Sequence, residues 1–190
     1  MLERDSKKFE NDKISSSKKI FKRIFKKNIP PMKTEKATFA AGCFWGIQKI
    51  FDTPPGVLKT TVGYCGGKKE YQNPSYEKVC SGKTGYAESI EIEFNPKIIS
   101  YEKLLELFWQ CHDPTTLNRQ GPDIGSQYRS AIFYHSTKQK KIAEESKIKA
   151  QRELKQPIVT IISKVEEFYP AEEYHQKYYK THEVYCSINS

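Results

Sequence analysis

The chain has 190 residues, room for one ordinary domain with a hydrophobic core, and 13% of them are aromatic. Its formal charge of +9 is uneven: residues 1 to 33 hold eleven Lys/Arg and four Asp/Glu, leaving 21 basic and 19 acidic residues for the rest. A nearly neutral body argues against a nucleic-acid surface, and no apolar run is long enough to span a bilayer or act as a secretory signal.

Residues 1 to 33 read as a basic, disordered tail, because isolated apolar residues among lysines cannot offset the entropy of ordering. Ile20, Phe21, Ile24 and Phe25 recur at helical spacing there, which leaves open a membrane-surface helix or a targeting segment. A single domain is expected over 34–190. It opens with "KATFAA", a short buried strand, and "CFWGIQKIF", a helix with Phe44, Ile47, Ile50 and Phe51 as its apolar residues. Pro54, Pro55 and Gly56 stop that helix. "VLKTTVGY" is strand-like, and a polar loop runs from Gly66 through "KKEYQNPSYEKVCSGKTG". "YAESIEIEF" alternates, with Ile90, Ile92 and Phe94 on one face. "SYEKLLELFWQC" carries Leu104, Leu105, Leu107 and Phe108 behind a Ser100 cap, and "QYRSAIFYH" is another strand. These six elements give the order βαββαβ. The expected class is α+β, a split-βαβ, ferredoxin-like two-layer sandwich. Additions at its C-terminal end are a charged helix over Thr137 to Leu154, a strand "IVTIIS" and a helix around "PAEEYHQKYYKTH".

The five cysteines, Cys43, Cys65, Cys80, Cys111 and Cys186, are odd in number and scattered, which suits a reducing, cytoplasmic compartment better than a disulfide framework. None lies in a CxxC pair or beside spaced histidines, so no structural zinc is expected. Cys43 is the sharpest candidate for chemistry. It falls where a strand gives way to a helix, beside Gly42, and the helix N-terminus favours a thiolate there. Equally, a thiol at a helix start is an ordinary small hydrophobe. Phe44 and Trp45 stand in the first turn and suit either an apolar cup or the core.

"GCFWG" resembles the active-site signature of the A-type peptide-methionine sulfoxide reductases, and four further stretches match in order. They are "GYCGG" at 63 to 67, "NPSYEKVCSGKTGYAE" at 73 to 88, "HDPTTLNRQGPDIGSQYRSAIF" at 112 to 133 and "FYPAEEYHQKY" at 168 to 178. The resemblance spans about residues 36 to 186 and makes 34–190 a catalytic domain. It implies thiol-dependent reduction of protein-bound and free methionine S-sulfoxide with no cofactor and no metal. Cys43 is then the nucleophile, Phe44 and Trp45 hold the S-methyl group, Glu88 is the acid, Tyr76 and Tyr128 donate to the sulfoxide oxygen, and Asp123 supports them. Taken alone, Glu88 reads as a solvated charge, the tyrosines as edge residues and Asp123 as a turn cap.

The resemblance also implies that a sulfenic acid on Cys43 condenses with a resolving thiol, and that thioredoxin or an equivalent dithiol reopens the disulfide. Cys186, near the chain end, is assigned that role, although Val184 stands where relatives carry glycine. Cys65, beside two glycines, is the competitor; Cys80 reads as structural, and none of the four histidines has ligand spacing. Gly46 occupies the place where some relatives carry a second cysteine. The expected enzyme is a monomer without nucleic-acid partners or stable membrane association. The alternative is an RNA-binding βαββαβ module using the basic tail, which lacks the expected strand signatures. A peroxidase or Cys/His hydrolase would leave the Phe-Trp pair and the tyrosine motifs unexplained.

Overall fold

The computed structural model describes residues 33–182, so the expectations for residues 1–32 and for Cys186 lie outside the described residues. Strand β1 (Glu35–Ala41) sends Ala37, Phe39 and Ala41 to one side of the sheet and Ala40 to the other, as the period of two requires. Helix α1 (Phe44–Phe51) follows at once and buries Phe44, Ile47, Gln48 and Phe51. Strand β2 (Val57–Cys65) comes next, then helix α2 (Tyr76–Cys80), strand β3 (Ala87–Phe94) and helix α3 (Tyr101–Gln110). A two-stranded ladder of β4 (Arg119–Gln120) and β5 (Asp123–Ile124) precedes a 3₁₀ turn, Ser126–Tyr128, and strand β6 (Ser130–Tyr134). Helix α4 (Thr137–Gln151), β7 (Ile161–Lys164), β8 (Phe168–Pro170), a second 3₁₀ turn (Glu173–His175) and α5 (Tyr178–Thr181) complete the chain.

The fold is mixed α/β. Its main sheet has six strands in the order β7-β6-β1-β3-β2-β8, antiparallel except where β7 runs parallel to β6. The face built from Phe39, Ile90, Ile92, Phe94 and Ile132 receives Ile47 and Phe51 of α1, Leu104, Leu105 and Phe108 of α3, and Ala143 of α4. Phe39 is the centre of an aromatic group, 5.6 Å from Phe51 and 5.1 Å from Phe108 between ring centroids. A smaller cluster on the other face joins Ala40, Cys65, Ala87, Ala131 and Phe133. Among the described residues no helix is long and apolar enough to cross a membrane.

Three local expectations need correction. The polar loop contains a helix, α2, started by Ser75, whose hydroxyl accepts from the Lys78 N–H. Tyr128 lies on the 3₁₀ turn ahead of β6 rather than within that strand. The segment "PAEEYHQKYYKTH" is not one helix, because Lys177 takes a left-handed φ of 55° and Gln176 spends its amide on β2 instead. Its side chain accepts from Val62 N and donates to Val62 O and Ala171 O, so the chain crosses the sheet edge as a strap. Lys177 continues it: its N–H donates to Gln48 Oε1, and its ammonium pairs with Asp52.

Candidate active site

The strand-to-helix step from β1 to α1 makes the centre of the site. Gly42 turns the chain with φ 91°, and a Cβ there would stand 2.6 Å from Gln120 Cγ. Glycine is thus required twice, for the backbone angle and for the approach of the loop that carries Asp123. Gln120 anchors that loop by accepting from Asp113 N (3.2 Å) and donating to Asp113 O (3.3 Å). Cys43 is the N-cap of α1, and its carbonyl accepts from Ile47 N at 3.4 Å.

Glu88 reaches the same point from β3. Its side chain shares the sheet face of Ile90 and Ile92 and is 2% exposed, and Oε2 accepts from the Phe44 N–H at 3.0 Å. The carboxyl therefore sits on the first free N–H of α1, one residue from the thiol. Burial drives its pKa to about 7, Asp123 adds to the rise, and the Phe44 N–H opposes it. The thiolate that the α1 terminus favours meets opposition in this setting. Burial first, then the charges of Glu88 and Asp123, push the Cys43 thiol up to about 12 against the N–H groups of Trp45 and Gly46, which pull it down only in part. Desolvation wins over the helix terminus here.

The aromatic residues form one wall. Phe44 lies 6.4 Å from Trp45, 6.5 Å from Tyr76 in a stacked arrangement, and 6.0 Å from Tyr64, which is wholly buried. Tyr76 begins α2. Burial, then a hydrogen bond with Cys80, then the charges of Glu88 and Tyr128 hold its hydroxyl well above the usual phenol range. Tyr128 is pushed up to about 12 by burial and by the charges of Glu88, Cys80, Asp123 and Cys43. Seven of the expected residues, Cys43, Phe44, Trp45, Tyr76, Glu88, Asp123 and Tyr128, therefore feel one another. Among the described residues no group of His, Cys, Asp or Glu is arranged to hold a metal ion.

Two of the other cysteines stand in contrasting places. Cys65 is fully buried in the cluster on the sheet's opposite face, and burial lifts its thiol to about 12, so it is not poised to resolve a sulfenic acid. Cys80 is exposed and bonded to Tyr76, at the edge of the site rather than in the structural interior.

The strap supplies residues that sequence reasoning did not single out. His175, 2% exposed, accepts the Trp45 indole N–H at Nδ1 (3.1 Å) and packs 4.5 Å from Tyr76, so packing alone does not describe this histidine. Tyr178 stacks on Trp45 at 3.8 Å, and Glu172 accepts from both Tyr76 N and Tyr64 Oη. The available signal was "FYPAEEYHQKY", which matched as a block without a role for each letter.

Residues 35–190 match the family model described as "Peptide methionine sulfoxide reductase". The chain is 55% identical over 148 residues to a "Peptide methionine sulfoxide reductase MsrA" of Methanosarcina acetivorans, covering 77% of this chain and 78% of that protein. A protein of the same description from Bacillus licheniformis is 55% identical over 152 residues, 79% of this chain and 83% of its own. Among solved structures, Mxr1 from Saccharomyces cerevisiae in reduced form superposes with a TM-score of 0.79 at 36% identity, over 85% of this chain and 93% of that one. Mxr1 in complex with Trx2 gives a TM-score of 0.56 at 28% identity, over 80% and 90%.

Proposed function

The chain belongs to the peptide methionine sulfoxide reductase family, a thiol-dependent reductase of methionine sulfoxide, and we propose that Cys43 and Glu88 carry its chemistry. The observation that carries this reading is the buried Glu88 carboxyl on the N–H of Phe44, next to the only thiol at the α1 N-cap. A neutral Glu88 donates its proton to the sulfoxide oxygen while the Cys43 sulfur attacks the sulfoxide sulfur. Cys43–SH and the sulfoxide become Cys43–SOH and methionine, and the oxygen stays with the enzyme. Besides burial, the Glu88 charge is the main obstacle to ionising Cys43, so the thiolate forms most easily when Glu88 is protonated. The reactive state thus holds the acid and the nucleophile together. Tyr76 and Tyr128 donate to the oxygen as charge develops on it. Phe44 and Trp45 take the S-methyl group, and Asp123 keeps Glu88 protonated by repulsion.

The sulfenic acid then condenses with the Cys186 thiol, releasing water, and thioredoxin or an equivalent dithiol exchanges with the disulfide. The complex of the yeast relative with Trx2 supports this partner. Preference for the S epimer and action on both protein-bound and free sulfoxide belong to the same reading. A cytoplasmic monomer belongs to that reading too. The sheet order β6-β1-β3-β2, antiparallel throughout, supports the split-βαβ description of the central part. The test is an NADPH-coupled thioredoxin assay on a peptide methionine S-sulfoxide. Cys43→Ser abolishes turnover with any reductant. Cys186→Ser stops thioredoxin-driven cycling but still yields one methionine per enzyme; normal cycling in that variant would remove Cys186 from the scheme.

A further inference from the structure

We propose that Glu172 is a positioning residue for the reduction step, holding Tyr76 over the site by tying it to Tyr64 beneath Phe44. This rests on the reading of Tyr76 as a donor to the sulfoxide oxygen. The carboxylate makes two bonds in opposite directions: Oε1 accepts the Tyr76 N–H at 2.9 Å, and Oε2 accepts the Tyr64 hydroxyl at 2.9 Å. Tyr64 is fully buried and lies against Phe44, so its own position is set by the core. Tyr76 is only partly buried, its ring resting against Phe44 and His175. It is the first residue of a five-residue helix whose one buried side chain is Val79, and so short a helix is not stable alone. Glu172 converts the fixed place of Tyr64 into a fixed place for Tyr76.

The carboxylate has no other evident task. Among the described residues no Lys or Arg lies within ion-pair distance of it. Burial works against its charge, yet the N–H of Tyr76, its own N–H and the Tyr64 hydroxyl hold the carboxyl below the usual range. The strap fixes it in turn, since Ala171 N donates to Val62 O at 2.9 Å and the Gln176 amide bonds both Val62 N and Val62 O. Hydrogen bonds thus connect Val62 to the strap and, through Glu172, the strap to Tyr76.

The experiment measures single-turnover reduction of a peptide methionine S-sulfoxide by the full chain. A donor misplaced by about 1 Å can slow a reaction up to about 100-fold, so Glu172→Ala is expected to cut the maximal rate by about 10-fold or more with little change in substrate affinity. Glu172→Gln can still accept from Tyr76 N and donate to the Tyr64 oxygen, and it is expected to restore most of the rate. In a Tyr76→Phe background, Glu172→Ala is expected to cost less than about 2-fold more, because both changes remove one contribution. Should Glu172→Ala not fold, Glu172→Asp, one methylene too short to reach both partners, takes its place in the same cycle. The proposal is overturned if the alanine variant reacts at the parental rate, or if it costs the same factor with and without the Tyr76 hydroxyl. A parental rate for Tyr76→Phe itself would instead remove the premise about Tyr76.

Discussion

Glu88 and Cys43 impose opposite demands on pH, and the order of their proton affinities decides the profile. Glu88 must be protonated to act as an acid, and its pKa lies at about 7, while the Cys43 thiol lies at about 12. Because the reactive state pairs a protonated Glu88 with an ionised Cys43, the single-turnover rate is expected to rise with pH, at most tenfold per unit, up to about 7 and to level off above it. Glu88→Gln should lose that bend together with most of the rate, and a bend that survives the substitution would assign it to another group. The same pair predicts the thiol's reactivity. Removing the Glu88 charge lowers the Cys43 pKa, so iodoacetamide should modify Cys43 faster in Glu88→Gln than in the parent at pH 8, counted by mass spectrometry of the Cys43 peptide. Partial burial and the charges of Glu88 and Asp123 raise the Cys43 thiol, and both are tertiary facts that a helix start in the sequence does not carry.

At the scale of elements, the strap is bound to α1 through charge. Asp52, whose side chain is 9% exposed, receives the Lys177 ammonium, the Lys180 ammonium at 3.0 Å and the Thr60 hydroxyl at 2.6 Å. Burial alone would raise its carboxyl pKa, but these partners together hold it low. Asp52→Asn is expected to destabilise the fold by about 2 kcal/mol near neutral pH in urea melts, the usual worth of hydrogen bonds to a charged group. A carboxyl with a depressed folded pKa stabilises above its unfolded value, so the difference between parent and variant should shrink as pH falls through the depressed value. Gly42→Ala belongs to the same scale. It forces φ 91° on a residue with a Cβ and drives that atom into Gln120, so a loss of about 1–3 kcal/mol is expected, with weaker activity as the Asp123 loop is displaced. Those elements that rest on periodicity were legible in the sequence. Ile90, Ile92 and Phe94 mark β3, and Leu104, Leu105 and Phe108 mark α3, because each buries a regular row. Helix α2 was not legible, since it buries only Val79, and the strap was not, since its partners lie far off: Gln176 and Val62 are 114 residues apart. Long-range side-chain bonds leave no period to read.

For the whole molecule, charge and structure divide the chain at nearly the same place. The family match begins at residue 35, β1 begins at Glu35, and the first core residue is Ala37. Every donor, acid and aromatic wall assigned to the reduction step lies beyond that point. The +7 thus falls on residues 1 to 33, which supply none of these groups, and the remaining residues carry +2. A chain starting at residue 33 is expected to reduce free methionine sulfoxide at the parental rate, because every residue assigned to the reduction step is retained. Its melting temperature should stay within about 2 °C of the parent, since the three buried clusters of the described residues are all retained. Steady-state kinetics with dithiothreitol and calorimetry on the two chains check both. A slower truncated enzyme on the free sulfoxide would mean that the leading residues reach the Cys43 site, whereas a difference confined to acidic oxidised proteins, and removed by salt, would assign them to substrate capture.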